Sequence, residues 1–329
     1  MTARMLRGVF AWLCAVALLL PGAARDPAHA AYPDRPVRVI IPFPPGGPND
    51  QLARPLMQKL SEMLGQPFVV ENRAGANGLI GAGSVVSAEP DGYTLLFMTG
   101  ALTANSSIVA KMPFDPLKDL QPITQIAGTF GMMLVVRQDF PAKSLAEFVA
   151  MAKARPGGFT YGNAGVGNPT HVAIELFKSV AGVEILSVPY KGTGDTIPAL
   201  IGGQIDLIGS STVVGASYIK QGQMRALGIT GDTRAPNLPE VPTFAEQGYK
   251  DVKLLAFYGM WFPANTPRAI VDLMQRSVKA ALATPEMQKV IEASGLRVVA
   301  STPDDFAAFL VEDTAYQATV NRRIGITPK

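Results

Sequence analysis

The chain has 329 residues, 29 Lys and Arg against 26 Asp and Glu, a net charge of +3, and a hydrophobic fraction of 48%. That length allows two lobes of ordinary domain size, each with its own core, and basic residues scattered singly without interleaved aromatics exclude a nucleic-acid surface. One cysteine (Cys14) and two histidines (His29 and His171) exclude most Cys/His metal sites and leave almost no inventory for nucleophilic catalysis.

Residues 1–30 read as a secretory leader: Arg4 and Arg7, an uncharged run over 8–20, then small residues ending Ala28-His29-Ala30, with cleavage expected near Ala30. The apolar run is too short to span a bilayer, for which about 20 residues are needed. Ala11-Trp12-Leu13 before Cys14 lacks the small residue that a lipoprotein cleavage site requires, so no lipid anchor is expected. Removing the leader takes Cys14 and His29 with it and leaves His171 as the one histidine of the mature chain. It also takes Arg4, Arg7, Arg25 and Asp26, which leaves the mature chain close to neutral.

From residue 37 onward, short β-branched runs alternate with amphipathic stretches. Strands are expected over 37–41, 68–70, 94–98, 132–136, 185–188, 205–208 and 226–230. Helices are expected at Leu52 to Leu64 and over 80–88, 145–154, 170–181, 196–201 and 213–221. Strands separated by helices predict parallel sheets. Three more helices, over 267–283, 285–294 and 303–316, each open with a proline suited to a first turn and are expected on the first lobe. The Gly-containing stretches 127–131 and 257–263 are the candidate crossings between lobes. The expected division is therefore 31–128 with 260–329 as one lobe and 129–259 as the other.

Three loops sit where ligands bind in α/β sheets, beyond the carboxyl end of a strand and at a helix N-terminus. In the first, Gly46 and Gly47 allow close approach of the backbone, while Asn49 or Asp50 offers a helix cap, and Pro55 stands unexplained inside the helix that follows. The second, over 161–171, has the spacing G-x-G-x-x-T at Gly165, Gly167 and Thr170. It lacks the third glycine and the acidic residue of a dinucleotide site, so no cofactor is expected. His171 in that first helical turn reads as a neutral histidine that fixes the loop rather than a base. The third, over 189–196, brings Lys191 and Asp195. Asp195 is either a helix cap or a partner for an amino-acid ammonium, and Lys191 either pairs a second carboxylate or is solvated. Ser210, Ser211 and Thr212 lie at the same sheet edge.

The sequence resembles the Bug-type extracytoplasmic receptors of tripartite tricarboxylate transport systems over nearly the whole mature chain. The resemblance rests on Pro42-Phe43-Pro44-Pro45-Gly46-Gly47 with Asp50 and Ala53-Arg54, on Val70-Glu71-Asn72-Arg73 with Gly75-Ala76 and Gly78, and on Pro90-Asp91-Gly92-Tyr93-Thr94-Leu95. It continues through Gly165 and Gly167 with His171, Val188-Pro189-Tyr190-Lys191-Gly192, Gly202-Gly203-Gln204-Ile205-Asp206, Leu238-Pro239-Glu240-Val241-Pro242-Thr243, and Trp261 with Pro263 and Pro267. It implies an α/β fold of two Rossmann-like lobes, the periplasmic-binding-protein or Venus-flytrap type, with a ligand cleft between them. It also implies a periplasmic monomer, a small carboxylate as ligand, permease subunits as membrane partners, and no catalytic, cofactor or metal site. Carried over residue by residue, Phe43, Gly46, Gly47, Asn49 and Asp50 face the ligand from one side. Gly165, Gly167, Thr170 and His171 face it from the other, and Lys191, Thr193 and Ser210 complete the wall. Departures at Asp195, Thr196, Gly209-Ser210-Ser211 and Pro55 leave the ligand open among a dicarboxylate, an acidic amino acid and an aromatic or nicotinate-like acid. A sensor partner in place of the permease, or an enzyme using paired carboxylates such as Asp50 and Asp206, is the alternative reading.

Overall fold

The computed structural model describes residues 32–326 and Pro328; the leader expected over 1–30 lies outside the described residues. From Arg35 onward the described residues form one compact unit. It contains two sheets. The first takes β1 (Val37–Ile41), β2 (Phe68–Asn72), β3 (Thr94–Thr99), β4 (Leu120–Thr129), β10 (Phe257–Pro263) and β11 (Leu296–Val298), in the order β11-β4-β10-β3-β1-β2. The second takes β5 (Met132–Arg137), β6 (Thr160–Asn163), β7 (Leu186–Pro189), β8 (Leu207–Ser211) and β9 (Met224–Ile229), in the order β7-β6-β8-β5-β9.

Parallel pairing, predicted throughout, holds where a helix separates the strands. Val39 lies between Val70 of β2 and Leu95 of β3, and β6 runs parallel to β7 and β8. Elsewhere the sheets are mixed. β10 is antiparallel to both β3 and β4, and β5 is antiparallel to both β8 and β9. The cause is that the chain passes from β4 to β5 through Phe130 and Gly131 alone, with no crossover helix to reverse it. A strand that enters from the other lobe then runs against its neighbours. The expected crossing at 257–263 is instead a central strand with all seven residues buried.

Ten α-helices lie among the described residues. They are α1 (Pro48–Leu64), α2 (Leu79–Val86), α3 (Ala101–Ile108), α4 (Leu145–Ala154), α5 (Pro169–Ala181), α6 (Thr193–Ile201), α7 (Thr212–Lys220), α8 (Arg268–Leu282), α9 (Pro285–Ser294) and α10 (Pro303–Arg323). Their ends follow local chemistry. Pro48, Pro169, Pro285 and Pro303 occupy first-turn positions, where the missing N–H costs nothing. The Thr284 and Thr302 side chains accept from the N–H groups of Met287 and Asp305. Gly65, Gly182 and Gly295 close α1, α5 and α9 in the left-handed region. Pro267 caps α8 and does not belong to it.

The core of the second sheet is aromatic, with Phe148 packed against Phe140, Phe159 and Phe177 at ring separations of 6.1, 5.7 and 6.4 Å. α10 departs from expectation. Its start packs on the first sheet, with Phe306 5.1 Å from the Trp261 ring, but Val320 and Ile324 near its end join Met132, Val172 and Leu254. The C-terminal helix thus reaches from one lobe to the other. Four hydrogen bonds between the two chain crossings reinforce this. Thr129 N–H donates to Ala256 O (2.8 Å), and Ala256 N–H donates to Thr129 Oγ1 (2.9 Å). Met132 N–H donates to Thr230 Oγ1 (2.9 Å), and Thr230 N–H donates to Met132 O (2.9 Å). Thr230 Oγ1 in turn donates to Leu254 O (2.5 Å).

Candidate functional site

Four helix N-termini converge on one cavity between the sheets, joined by the end of a strand. Gly47, Pro48 and Asn49 open α1, and Asn168, Pro169 and Thr170 open α5. Thr193 and Gly194 open α6, Ser211 is the cap of α7, and Thr99 is the last residue of β3 before α3. α1, α5, α6 and α7 each come after a strand of their sheet, and their first turns, whose N–H groups have no partner within the helix, border the same space. Phe43, Pro44, Met132, Ala256 and Tyr258 supply the apolar part of the wall. No lining residue carries a charge. The cavity leaves about 30 Å³ for the centres of water-sized molecules, room for roughly two waters.

The lobes are closed over it. On one rim, Asn77 Nδ2 donates to Val166 O at 2.9 Å. On the other, the loop 44–47 lies so close to 192–194 that a Cβ on Gly192 would stand 2.8 Å from Pro44 Cδ, and one on Gly194 2.9 Å from Pro45 O. Away from the cleft, Thr212 Oγ1 donates to Gly295 O (3.1 Å) and Asn237 Nδ2 to Ala293 O (2.8 Å).

The first loop is held from below by Asp50. Its carboxylate accepts from Arg54 Nε (3.0 Å) and Nη2 (2.9 Å), from Gly46 N–H (3.1 Å) and from Asn72 Nδ2 (3.1 Å), and the same Asn72 nitrogen donates to Phe43 O at 3.0 Å. Burial opposes the charge on Asp50. The Arg54 guanidinium, the Gly46 N–H and the Asn72 amide together still hold its carboxyl below the usual range. With its oxygens engaged in this way, Asp50 shapes the loop and does not line the cavity.

The second loop is organised by its own side chains. Asn168 Oδ1 accepts from the Thr170 N–H (3.2 Å) and hydroxyl (3.0 Å), and Asn163 Oδ1 accepts from Gly165 N–H (2.9 Å). His171 Nδ1 accepts from Gly167 N–H at 3.3 Å, which puts the ring proton on Nε2. Burial lowers the pKa of His171 to about 4; the charge of Glu175 works against this shift and that of Lys178 with it. The ring is neutral and fixes the loop.

The structure therefore gathers some of the expected site residues and separates others. Phe43, Gly47, Asn49, Thr170 and Thr193 line the cavity. Gly46, Asp50, Gly167, Lys191 and Ser210 do not, and Lys191 is exposed. Ser210 turns away, its Oγ donating to Ser211 O at 3.1 Å, and Ser211 takes the place expected for it, beside the Tyr258 hydroxyl. Gly165 and His171 line a second, larger cleft of about 690 Å³ shared with Asn77, Asn105, Glu175 and Ile324. That cleft has an acidic side chain, Glu175, in its wall. Thr99, Met132, Ala256 and Tyr258 are lining residues that loop chemistry did not reveal, because they come from strands and crossings. Among the described residues, no group of three His, Cys, Asp or Glu is placed to hold a metal ion.

Residues 52–326 match the family described as the tripartite tricarboxylate transporter family receptor. This chain belongs to that family. Within it, the chain is 34% identical over 306 residues to protein BugT of Bordetella pertussis, an alignment that covers 92% of this chain and 94% of BugT. Among solved structures, the periplasmic binding protein BugD superposes with a TM-score of 0.87 at 32% identity, covering 91% of this chain and all of BugD. MatC of Rhodopseudomonas palustris with bound malate gives 0.83 at 30% identity, covering 88% and 99% of the two chains. R. palustris Rpa4515 with adipate gives 0.87 at 32% identity, covering 91% and 100%. The receptor fold, two mixed α/β lobes around a cleft, is thus shared along almost the full length of these proteins.

Proposed function

We propose that this chain is a periplasmic solute-binding protein that captures a small carboxylate between two lobes and presents it to the membrane permease of a tripartite tricarboxylate-type transporter. The observation that carries this reading is the closed cavity where four helix N-termini meet an uncharged wall. Main-chain N–H groups and oriented peptide dipoles favour an anion without a cationic side chain. The malate and adipate bound by related proteins support a carboxylate in particular.

Binding without turnover fits a receptor family and a wall whose polar side chains are hydroxyls and the amides of Asn49 and Asn168, with His171 and Asp50 outside it. The lobes are proposed to divide as 31–128 with 260–329, and 129–259, the sheets themselves changing over between Thr129 and Met132 and between Ile229 and Phe257. Residues 1–30 are proposed as the export signal, and the receptor as a monomer whose closed form the permease reads. Lys191 is proposed at the outer edge of the ligand site, reached when the lobes open.

The test is thermal unfolding of the purified protein against a panel of carboxylates. A ligand that binds only the folded state raises the melting temperature with concentration, by about 2.7 kcal/mol of stability at a hundred times its Kd. A concentration-dependent rise with one acid, recovered chemically unchanged, is the expected result. Recovery of a converted acid would overturn the receptor reading in favour of an enzyme.

A further inference from the structure

We infer that the second cleft is the surface by which the membrane permease recognises the closed receptor, and that a basic side chain of the permease enters it; this rests on the transport-receptor reading above. The cleft is built across the two sheets. Leu79 and Ile108 reach it from α2 and α3, which follow strands of the first sheet. Val166, His171 and Glu175 reach it from α5 and the loop before it, which follow a strand of the second. Ile326, just past α10, adds a third side. Opening the lobes parts these walls, so the cleft exists in the closed form alone. A partner that binds it therefore selects the closed, loaded receptor over the open, empty one. At about 690 Å³ it has room for a protruding loop, which the small ligand cavity does not.

Charge and hydrogen bonding define what fits. Glu175 is the one charged side chain among the described residues that line the cleft. Its Oε1 accepts from Tyr161 Oη (2.5 Å) and Lys178 Nζ (2.7 Å), whereas its Oε2 has no hydrogen bond among the described residues. Lys178 is not part of the wall, so the wall itself is acidic. Around Glu175 the lining is largely apolar, and Val166 is left 50% exposed on its glycine loop, as side chains at a protein contact are. Ile80, next to Leu79, is 61% exposed. An aliphatic stem with a cationic head matches this pattern: the stem covers Leu79, Ile108, Val166 and Ile326, and the head pairs with Glu175. Lys and Arg are the side chains of that form.

The test is uptake of radiolabelled malate, adipate and aspartate, each at saturating concentration, by cells of the encoding organism in which the receptor gene is replaced by variants. Val166→Arg and Ile326→Arg put a like charge on separate walls, and each is expected to cut maximal uptake about tenfold or more, whereas Val166→Glu keeps it within about twofold or raises it. Saturating acid removes any effect of a variant on carboxylate affinity, and thermal unfolding of the purified variants shows which of them fold. Undiminished uptake with either Arg variant in folded form overturns the inference and leaves the receptor reading standing. An equal loss with Val166→Glu also overturns it, because a basic partner is not repelled by a carboxylate. Uptake of all three acids that is indifferent to deletion of the receptor gene overturns the receptor reading itself.

Discussion

His171 shows how a single side chain acts through its surroundings. Its Nδ1 holds the Gly167 N–H and its ring is buried, so the folded protein keeps it neutral down to about pH 4. The unfolded chain takes up a proton near the ordinary value of 6.5. Between those values the unfolded state binds more protons, so stability falls as pH drops through 6.5 towards 4, by up to about 3 kcal/mol. Urea unfolding from pH 7 to pH 4.5 measures this. His171→Gln is expected to flatten much of the slope, and an unaltered slope would show that another group drives it. The neutral, loop-fixing role was legible from the position of His171 after Pro169 and Thr170 at a helix start. The structural role of Asp50 was only half legible, because Arg54 and Asn72, which occupy its oxygens, come from the next turn and the next strand.

At the scale of elements, α1 combines a well-formed start with a flaw. Pro55 lies inside the helix and deprives the Gln51 carbonyl of its partner. Pro55→Ala is expected to raise unfolding stability by about 1 to 3 kcal/mol while leaving Asn49 in place. A variant that gains stability but loses carboxylate affinity would show instead that the bend at Pro55 aims the α1 N-terminus. Element positions were largely legible from period and punctuation: β1, α4, α5 and α9 fall where the pattern puts them to within a residue. β4, β10 and β11 were not. Phe257 to Pro263 is a continuous apolar run punctuated by Gly259, which reads as a flexible crossing until it is seen that Phe306 and Trp261 fill the space over that glycine. Pairing direction was illegible for the same strands, since no local signal states from which lobe a strand arrives.

For the whole molecule, closure depends on a few polar ties at the rims. Asn77 lies at φ 49° on a 3-10 turn; its Nδ2 donates to Asn105 Oδ1 in its own lobe and to Val166 O in the other, both at 2.9 Å. Asn77→Gly keeps the backbone conformation and removes the tie. It is expected to weaken carboxylate binding by about 2- to 10-fold, the value of one net hydrogen bond. It should also raise the radius of gyration of the free protein in small-angle X-ray scattering. Unchanged affinity and size would show that the lobes close without help from that rim. α10 and the threonine-linked crossings act at the same scale, because Val320 and Ile324 pack among residues of both crossings and α5.

The sequence by itself determined the class of the molecule and the kind of chemistry open to it. Alternating strands and helices, glycine-rich helix starts and an almost empty catalytic inventory are local or compositional facts, and they already point to two α/β lobes and an anion held by main-chain donors. Tertiary structure decided which groups share the cavity: Thr99, Ser211 and Tyr258 enter it, whereas Asp50, His171 and Ser210 turn to partners elsewhere. The reason is geometric. A loop's backbone conformation is written in its own glycines and prolines, but which residues meet at one cavity depends also on partners far along the chain, such as Asn72 for Asp50, 22 residues on. Those partners are brought near only when the sheets form.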